Sequence, residues 1–229
     1  FMASRLLVDA TDLEAWANRR EAQGTLPQVI RRLIHAVTPT LVRGGFRSGE
    51  GVQLAGWDGM VESEVGSAFV PAGISAWELS VDKSPKNKAD ADYTKRSAEP
   101  RGVDPSKAAF VFVTARRWNG KTDWAEDRRK ENQWVEVRAY DADDLEAWLE
   151  TAPAVHLWLS SRLGKRPEGA EDIDSYWQQW SSATQPVITA RLVLAGRQTV
   201  VKKIHEWVKA PTTALTLCGE TRAEALAVF

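Results

Sequence analysis

Apolar residues along the chain follow a helical period first, an extended one in the middle and a helical one again towards the end. Asp9-Ala10-Thr11-Asp12 supplies a side-chain cap ahead of Leu13, Trp16 and Ala17, which predicts a short helix that Gly24 breaks. Leu26-Pro27 opens a second helix with Val29, Ile30, Leu33, Ile34 and Val37 as its buried stripe, closed by Pro39. From Gly44 the period changes. Val52 to Ala55 and Trp57 to Glu62 read as an extended, bent strand or hairpin, with Gly56 and Gly59 as the bending points. Pro71-Ala72-Gly73 is a turn, and Ser75 to Val81 a short strand after it. Lys86 to Arg96 have helical composition, ended by Pro100-Arg101-Gly102.

Ala108 to Thr114 is wholly apolar but for its last residue, the mark of a central strand buried on both faces. Val135 to Tyr140 alternates and makes another strand. Asp141-Ala142-Asp143-Asp144 caps a long helix through Leu145, Trp148 and Leu149, continuing after Pro153 to Gly164. The pattern predicts an α/β fold: a central mixed sheet flanked by helices over residues 1–166, a linker over 167–184, and a second α/β domain beginning at 185–229. Trp177 and Trp180 sit at helical spacing ahead of that second unit, in which Val200, Ile204 and Val208 mark a helix, and Ala214 to Gly219 a strand. Phe1 precedes an apparent initiator Met2, which reads as an expression scar. Ala223 to Phe229 stops inside a helical pattern with no cap. The expectation is the N-terminal piece of a longer protein, whose C-terminal remainder is a partner within the same polypeptide.

Composition narrows the class. Hydrophobic residues make up 43% and charged residues 27%, which excludes a disordered tail, a collagen-like repeat and a coiled coil. No apolar run approaches the roughly 20 residues of a membrane span, so no membrane partner is expected. The single cysteine, Cys218, excludes an internal disulfide and a cysteine-clustered zinc site, and predicts a reducing cytoplasm. Eleven tryptophans against three tyrosines predict a core built with large rings. Net charge is −1, but residues 83–130 hold thirteen Lys or Arg against seven Asp or Glu. Residues 131–175 hold four against eleven. Such a dipolar surface suits a polyanion on its basic side, or is a solvated face of mixed charge.

The candidate chemistry lies at Asp58 and Glu78, with nineteen residues between them. An acid on a bent strand and another on the next strand can meet across a hairpin. Two carboxylates that close repel unless a cation sits between them. Oxygen ligands with open positions suit Mg²⁺ or Mn²⁺, which hold phosphate oxygens and a nucleophilic water. The order of elements, with Asp58 on bent strands and Trp77-Glu78-Leu79-Ser80 on the next, resembles the PD-(D/E)XK nuclease superfamily over about residues 5–164. That resemblance implies a restriction-endonuclease-like sheet and Mg²⁺-dependent cleavage of DNA. By position, Asp58 matches the superfamily's metal-binding aspartate and Glu78 the glutamate of its E-x-K element, with the Leu79 carbonyl as a further ligand. Ser80 stands where the lysine belongs. The superfamily moves this lysine, and Lys83, Lys86 and Lys88 are available. Lys88 is favoured, since Lys88, Asp92 and Lys95 share one helical face, and Lys83 is second. Glu62 has the strand parity of Asp58 and is a candidate extra ligand.

Arg116, Arg117, Trp118, Lys121 and Trp124 follow the buried strand, with Arg128, Arg129 and Lys130 beyond. Cations interleaved with rings can neutralise phosphates and stack on bases; alternatively the rings plug the sheet edge while the cations pair with Asp123, Glu126 and Asp127. His35, His156 and His205 have no partner at metal spacing. Leu215 to Arg222 resembles a strand–loop–helix phosphate site but lacks G-x-x-x-x-G-K-[ST]. Its position is similar to the start of the NTPase modules of bacterial antiviral proteins, which often carry such nucleases at their N-termini. The expected function is therefore a Mg²⁺-dependent endodeoxyribonuclease, the effector of an anti-phage defence protein, possible as a homo-oligomer. The alternatives are a degenerate nuclease fold that only binds nucleic acid, and a protein-interaction scaffold.

Overall fold

The computed structural model describes residues 7–47, 56–165, 173–210 and 214–229. The chain divides into a unit of residues 1–170 and a unit of residues 171–229. The first begins with helices α1 (Ala10–Trp16) and α2 (Arg20–Val37), followed by strands β1 (Leu41–Phe46), β2 (Gly59–Ser63) and β3 (Gly73–Ser80). Helix α3 (Pro85–Ala98) leads to β4 (Ala108–Thr114), and α4 (Lys121–Lys130) to β5 (Glu136–Tyr140). Helices α5 (Ala142–Glu150) and α6 (Pro153–Arg162) complete it.

The five strands form one open mixed sheet in the order β1-β2-β3-β4-β5. β1, β2 and β3 are antiparallel neighbours, joined through two reversals of the chain, whereas β3, β4 and β5 run parallel with α3 and α4 as crossovers. All seven residues of β4 are buried, as its apolar run requires. Alternation then sorts the sheet's side chains into two layers. Val61, Trp77, Val111 and Val113 face a cluster with Leu13 of α1, Ile30 and Leu33 of α2, Leu145 and Trp148 of α5 and Leu159 of α6. Ala76, Phe110, Phe112 and Val137 face Ala89 and Tyr93 of α3 and Trp124 of α4. Eight of the eleven tryptophans are buried in these layers, so the rings build core.

Several local expectations change. Gly24 does not break a helix: α2 runs through Gly24 and Pro27, because Ala22 and Leu26 extend the buried stripe of Val29, Ile30 and Leu33. Strand β1 has a glycine-rich sequence that carries little alternation, and its partner β2 defines it. Gly59 is required there, since a Cβ would lie 2.1 Å from the Phe46 ring. The proposed strand Val52 to Ala55 lies outside the described residues. The long helix from Asp141 to Gly164 is two helices, because the chain turns at Thr151-Ala152 and Pro153 starts afresh.

The second unit contains α7 (Ile173–Ser181), α8 (Ala190–Leu194), α9 (Gln198–Lys209) and α10 (Arg222–Val228). Helix α7 falls in the stretch read as linker. Residues 214–219 carry no regular secondary structure, against the expected strand. A strand needs a neighbour to complete its hydrogen bonds, and none of the described residues of this unit supplies one.

Candidate functional site

Gly56-Trp57-Asp58 brings the chain into β2, and burial of Trp57 anchors that approach: its ring lies edge-on to Phe110 and Trp134, and its Nε1 donates to the Pro100 carbonyl at 2.9 Å. The β2–β3 register pairs Gly59 with Trp77, so one step further sets Asp58 opposite Glu78. The Asp58 Oδ2 accepts the Leu79 backbone N–H at 2.8 Å. The Asp58 and Glu78 carboxyls are close enough to act on one another electrostatically. The two acids therefore meet on the sheet face that α3 covers.

Helix α3 faces the sheet with Ala89, Asp92, Tyr93 and Arg96. Arg96 donates from Nε to Glu78 Oε1 and from Nη2 to the Gly56 carbonyl, and lies 4.7 Å from the Trp57 ring centroid. Lys88 stands at the rim of this stripe and bonds Asp92 at 2.6 Å. Lys95 is exposed, because it projects further from the buried side than Lys88. Arg96, not Lys95, is the second cation of the cluster.

Electrostatics follow from this crowding. Burial pushes Glu78 up to about 8, and the charge of Asp58 adds to it, while the bond and charge of Arg96 pull it back. Burial also raises Asp58; the Leu79 N–H, the neighbouring Glu78 carboxyl and the charge of Lys88 oppose that, and Asp92 reinforces it. Two acids this close disfavour full ionisation of the pair, and a cation bound between them would relieve that.

A Mg²⁺ or Mn²⁺ ion fits the chemistry of this donor set, the hard carboxylate oxygens of Asp58 and Glu78. In a strand the N–H and C=O of one residue project to the same edge, so the Leu79 carbonyl opens towards Asp58. The convergent acids are a pair; among the described residues no three His, Cys, Asp or Glu side chains are arranged around one metal position. Glu62 shares the face but lies about 13 Å along the strand from Asp58, four residues at the usual rise, and is not brought in. Lys83 is exposed on the turn before α3. Ser80 is buried, and its hydroxyl accepts the Asp82 N–H at 3.0 Å.

The basic stretch after β4 is a short connection followed by α4, not a loop. Arg116 is buried, donating to the Val81 and Ala17 carbonyls and to Asn18. Trp118 is buried, with its backbone N–H on Asp141. Arg117 is paired with Glu14 and Asp143, and Lys121 with Asp141 and Asp144. Arg128 pairs with Asp90 and Glu131, Arg129 donates to the Val137 carbonyl at 2.8 Å, and Lys130 pairs with exposed Asp127. His156 is buried on the Val8 carbonyl, while His35 and His205 are exposed.

Comparison of the chain with protein-family models, with curated proteins and with solved structures finds no match. No helix among the described residues is long and apolar enough to cross a membrane. What stands is an α/β unit with a five-stranded mixed open sheet and, under one crossover helix, buried Glu78 beside half-buried Asp58.

Proposed function

We propose that this chain hydrolyses DNA phosphodiester bonds with Mg²⁺ or Mn²⁺ held by Asp58, Glu78 and the Leu79 carbonyl. The observation that carries the reading is the placement of half-buried Asp58, held by the Leu79 N–H, opposite buried Glu78, where two acids so close call for a cation. The ion would polarise the phosphate and lower the pKa of the attacking water. Asp58 and Glu78 would fix its position, and the Leu79 N–H holds the Asp58 carboxylate in register. Lys88, at the rim of the cluster, would orient the water or neutralise charge on the phosphate. Arg117 and Lys130, both exposed, are cations of the basic stretch that could reach a DNA backbone. We place the activity in the cytoplasm, as the effector of an anti-phage defence protein acting alone or as a homo-oligomer; the order of elements supports that placement by resemblance only.

A second reading has its own support. Arg96 is already paired with Glu78, and Ser80 occupies the usual lysine position, as in a fold that binds nucleic acid without cutting it. Supercoiled plasmid with Mg²⁺ or Mn²⁺ separates the two. Nicking by the wild-type chain that disappears in Asp58→Ala and Glu78→Ala supports hydrolysis. DNA retention without nicking, and without Mn²⁺ binding, supports the second reading.

A further inference from the structure

Two arginines are buried among the described residues, and their partners differ in kind. Arg116 donates to carbonyls and an amide, all neutral groups that fix loop geometry. Arg96 is instead paired with Glu78, an acid of the candidate metal site. Its Nε is on Glu78, its Nη2 on the Gly56 carbonyl, and its plane lies near the Trp57 ring. Its third nitrogen, Nη1, is buried with no hydrogen-bond partner. One turn earlier, Asp92 binds Lys88 through Oδ1, while its buried Oδ2 has no partner. A donor and an acceptor on the same helical row are thus both unmet. Leaving such groups unpaired in the interior is unfavourable, and residues four apart on a helix can reach one another.

We propose that Arg96 is the resident cation of the Asp58–Glu78 site, and that a divalent ion enters by taking Glu78 while the guanidinium turns to Asp92. The inference rests on the metal reading above. A divalent ion and a guanidinium on one buried carboxylate repel strongly, because little water screens them. The Asp92 Oδ2 is a ready acceptor for the displaced charge, within reach along the same helix. The bond to the Gly56 carbonyl and the indole face of Trp57 hold the guanidinium close, so the exchange needs only a side-chain rotation. Arg96 would thereby set the concentration at which metal loads. In its absence the site would bind metal more tightly but would carry uncompensated acids when empty.

The test is made on the full chain, with metal binding and not cleavage as the readout. Mn²⁺ affinity is measured by electron paramagnetic resonance for the wild type and Arg96→Met. Removal of a competing charged hydrogen bond should tighten binding about tenfold to a hundredfold. In parallel, Mg²⁺ is titrated into wild-type chain labelled with ¹⁵N-arginine, and the Arg96 Nε–H resonance should move with the same midpoint as metal saturation. This second arm needs no substitution, so a variant that fails to fold leaves the proposal decidable. Wild-type binding with equal or weaker affinity in Arg96→Met, or with an unmoved Arg96 resonance, overturns the exchange and leaves the metal site standing. Absence of Mn²⁺ binding in both proteins overturns the site and the exchange together.

Discussion

Asp58 and Leu79 are tied across β2 and β3 by a 2.8 Å hydrogen bond from the Leu79 N–H to Asp58 Oδ2. The bond makes Asp58 part of the sheet although it precedes the first residue of β2, and it holds the carboxyl beside Glu78. Asp58→Asn keeps an oxygen acceptor for Leu79 and removes the charge; Asp58→Ala removes both. Asparagine should therefore keep the wild-type urea midpoint closely, while alanine loses about 1 kcal/mol from the broken bond. Cleavage should fall by orders of magnitude in both. Wild-type cleavage by the asparagine variant would remove Asp58 from the metal site.

Glu78 gives the fold a pH dependence of defined sign. Its folded pKa lies near 8, above the ordinary carboxylate value, through burial first and the charge of Asp58 second. Between those two values the folded chain holds a proton that the unfolded chain has lost. Stability from this group is complete below the unfolded pKa and falls as pH rises towards 8. The metal-free chain should therefore lose thermal stability from about pH 5 to pH 8 in a chelating buffer, and Glu78→Gln should lose less over that window. Equal slopes in the two proteins would mean that Glu78 is ionised throughout.

The mixed sheet was readable because its strongest signals are local: the apolar run of β4, the turn before β3, and the caps of α1 and α5. Strand β1 was not, since Leu41–Phe46 contains two adjacent glycines and becomes a strand only through β2. At the site, Asp58 and Glu78 were accessible from chemistry and strand order. Arg96 was hidden, because Lys95 and Arg96 are neighbours, and only the packing of Ala89 and Tyr93 shows which of them turns inward. The partners of the basic stretch were also out of reach: Asp141, Asp143 and Glu14 lie far away in sequence and are delivered by α5 and α1.

Lys88 and Lys83 separate cleanly in the structure. Lys88 is bonded to Asp92 and acts on Asp58 through space, whereas Lys83 is exposed. Lys88→Ala should suppress turnover by at least about a hundredfold, the lower end for a positioned acid or base, while sparing Mn²⁺ binding. Lys83→Ala should cleave at the wild-type rate. Full activity in Lys88→Ala, and in the double variant, would mean that no lysine has taken over from the position held by Ser80.

Arg116 and Arg117 are adjacent in sequence and opposite in role. The Arg116 guanidinium spans the Val81 and Ala17 carbonyls and Asn18, joining the end of β3 to the end of α1. Truncation to alanine leaves those buried carbonyls unpaired and opens a void, which should cost about 2–4 kcal/mol of stability. Arg117 lies at the surface with Glu14 and Asp143, in contacts that salt screens. Arg117→Ala should leave the urea midpoint nearly unchanged. If Arg117 touches a phosphate, the same variant should lower the log–log salt slope of duplex DNA binding by about 0.9. Urea unfolding of both variants, with DNA titration of Arg117→Ala at several salt concentrations, checks the pair of expectations. A stable Arg116→Ala with a lowered salt slope would transfer the phosphate contact to Arg116. An unchanged slope in Arg117→Ala would leave that residue as a surface ion-pair partner of Glu14 and Asp143.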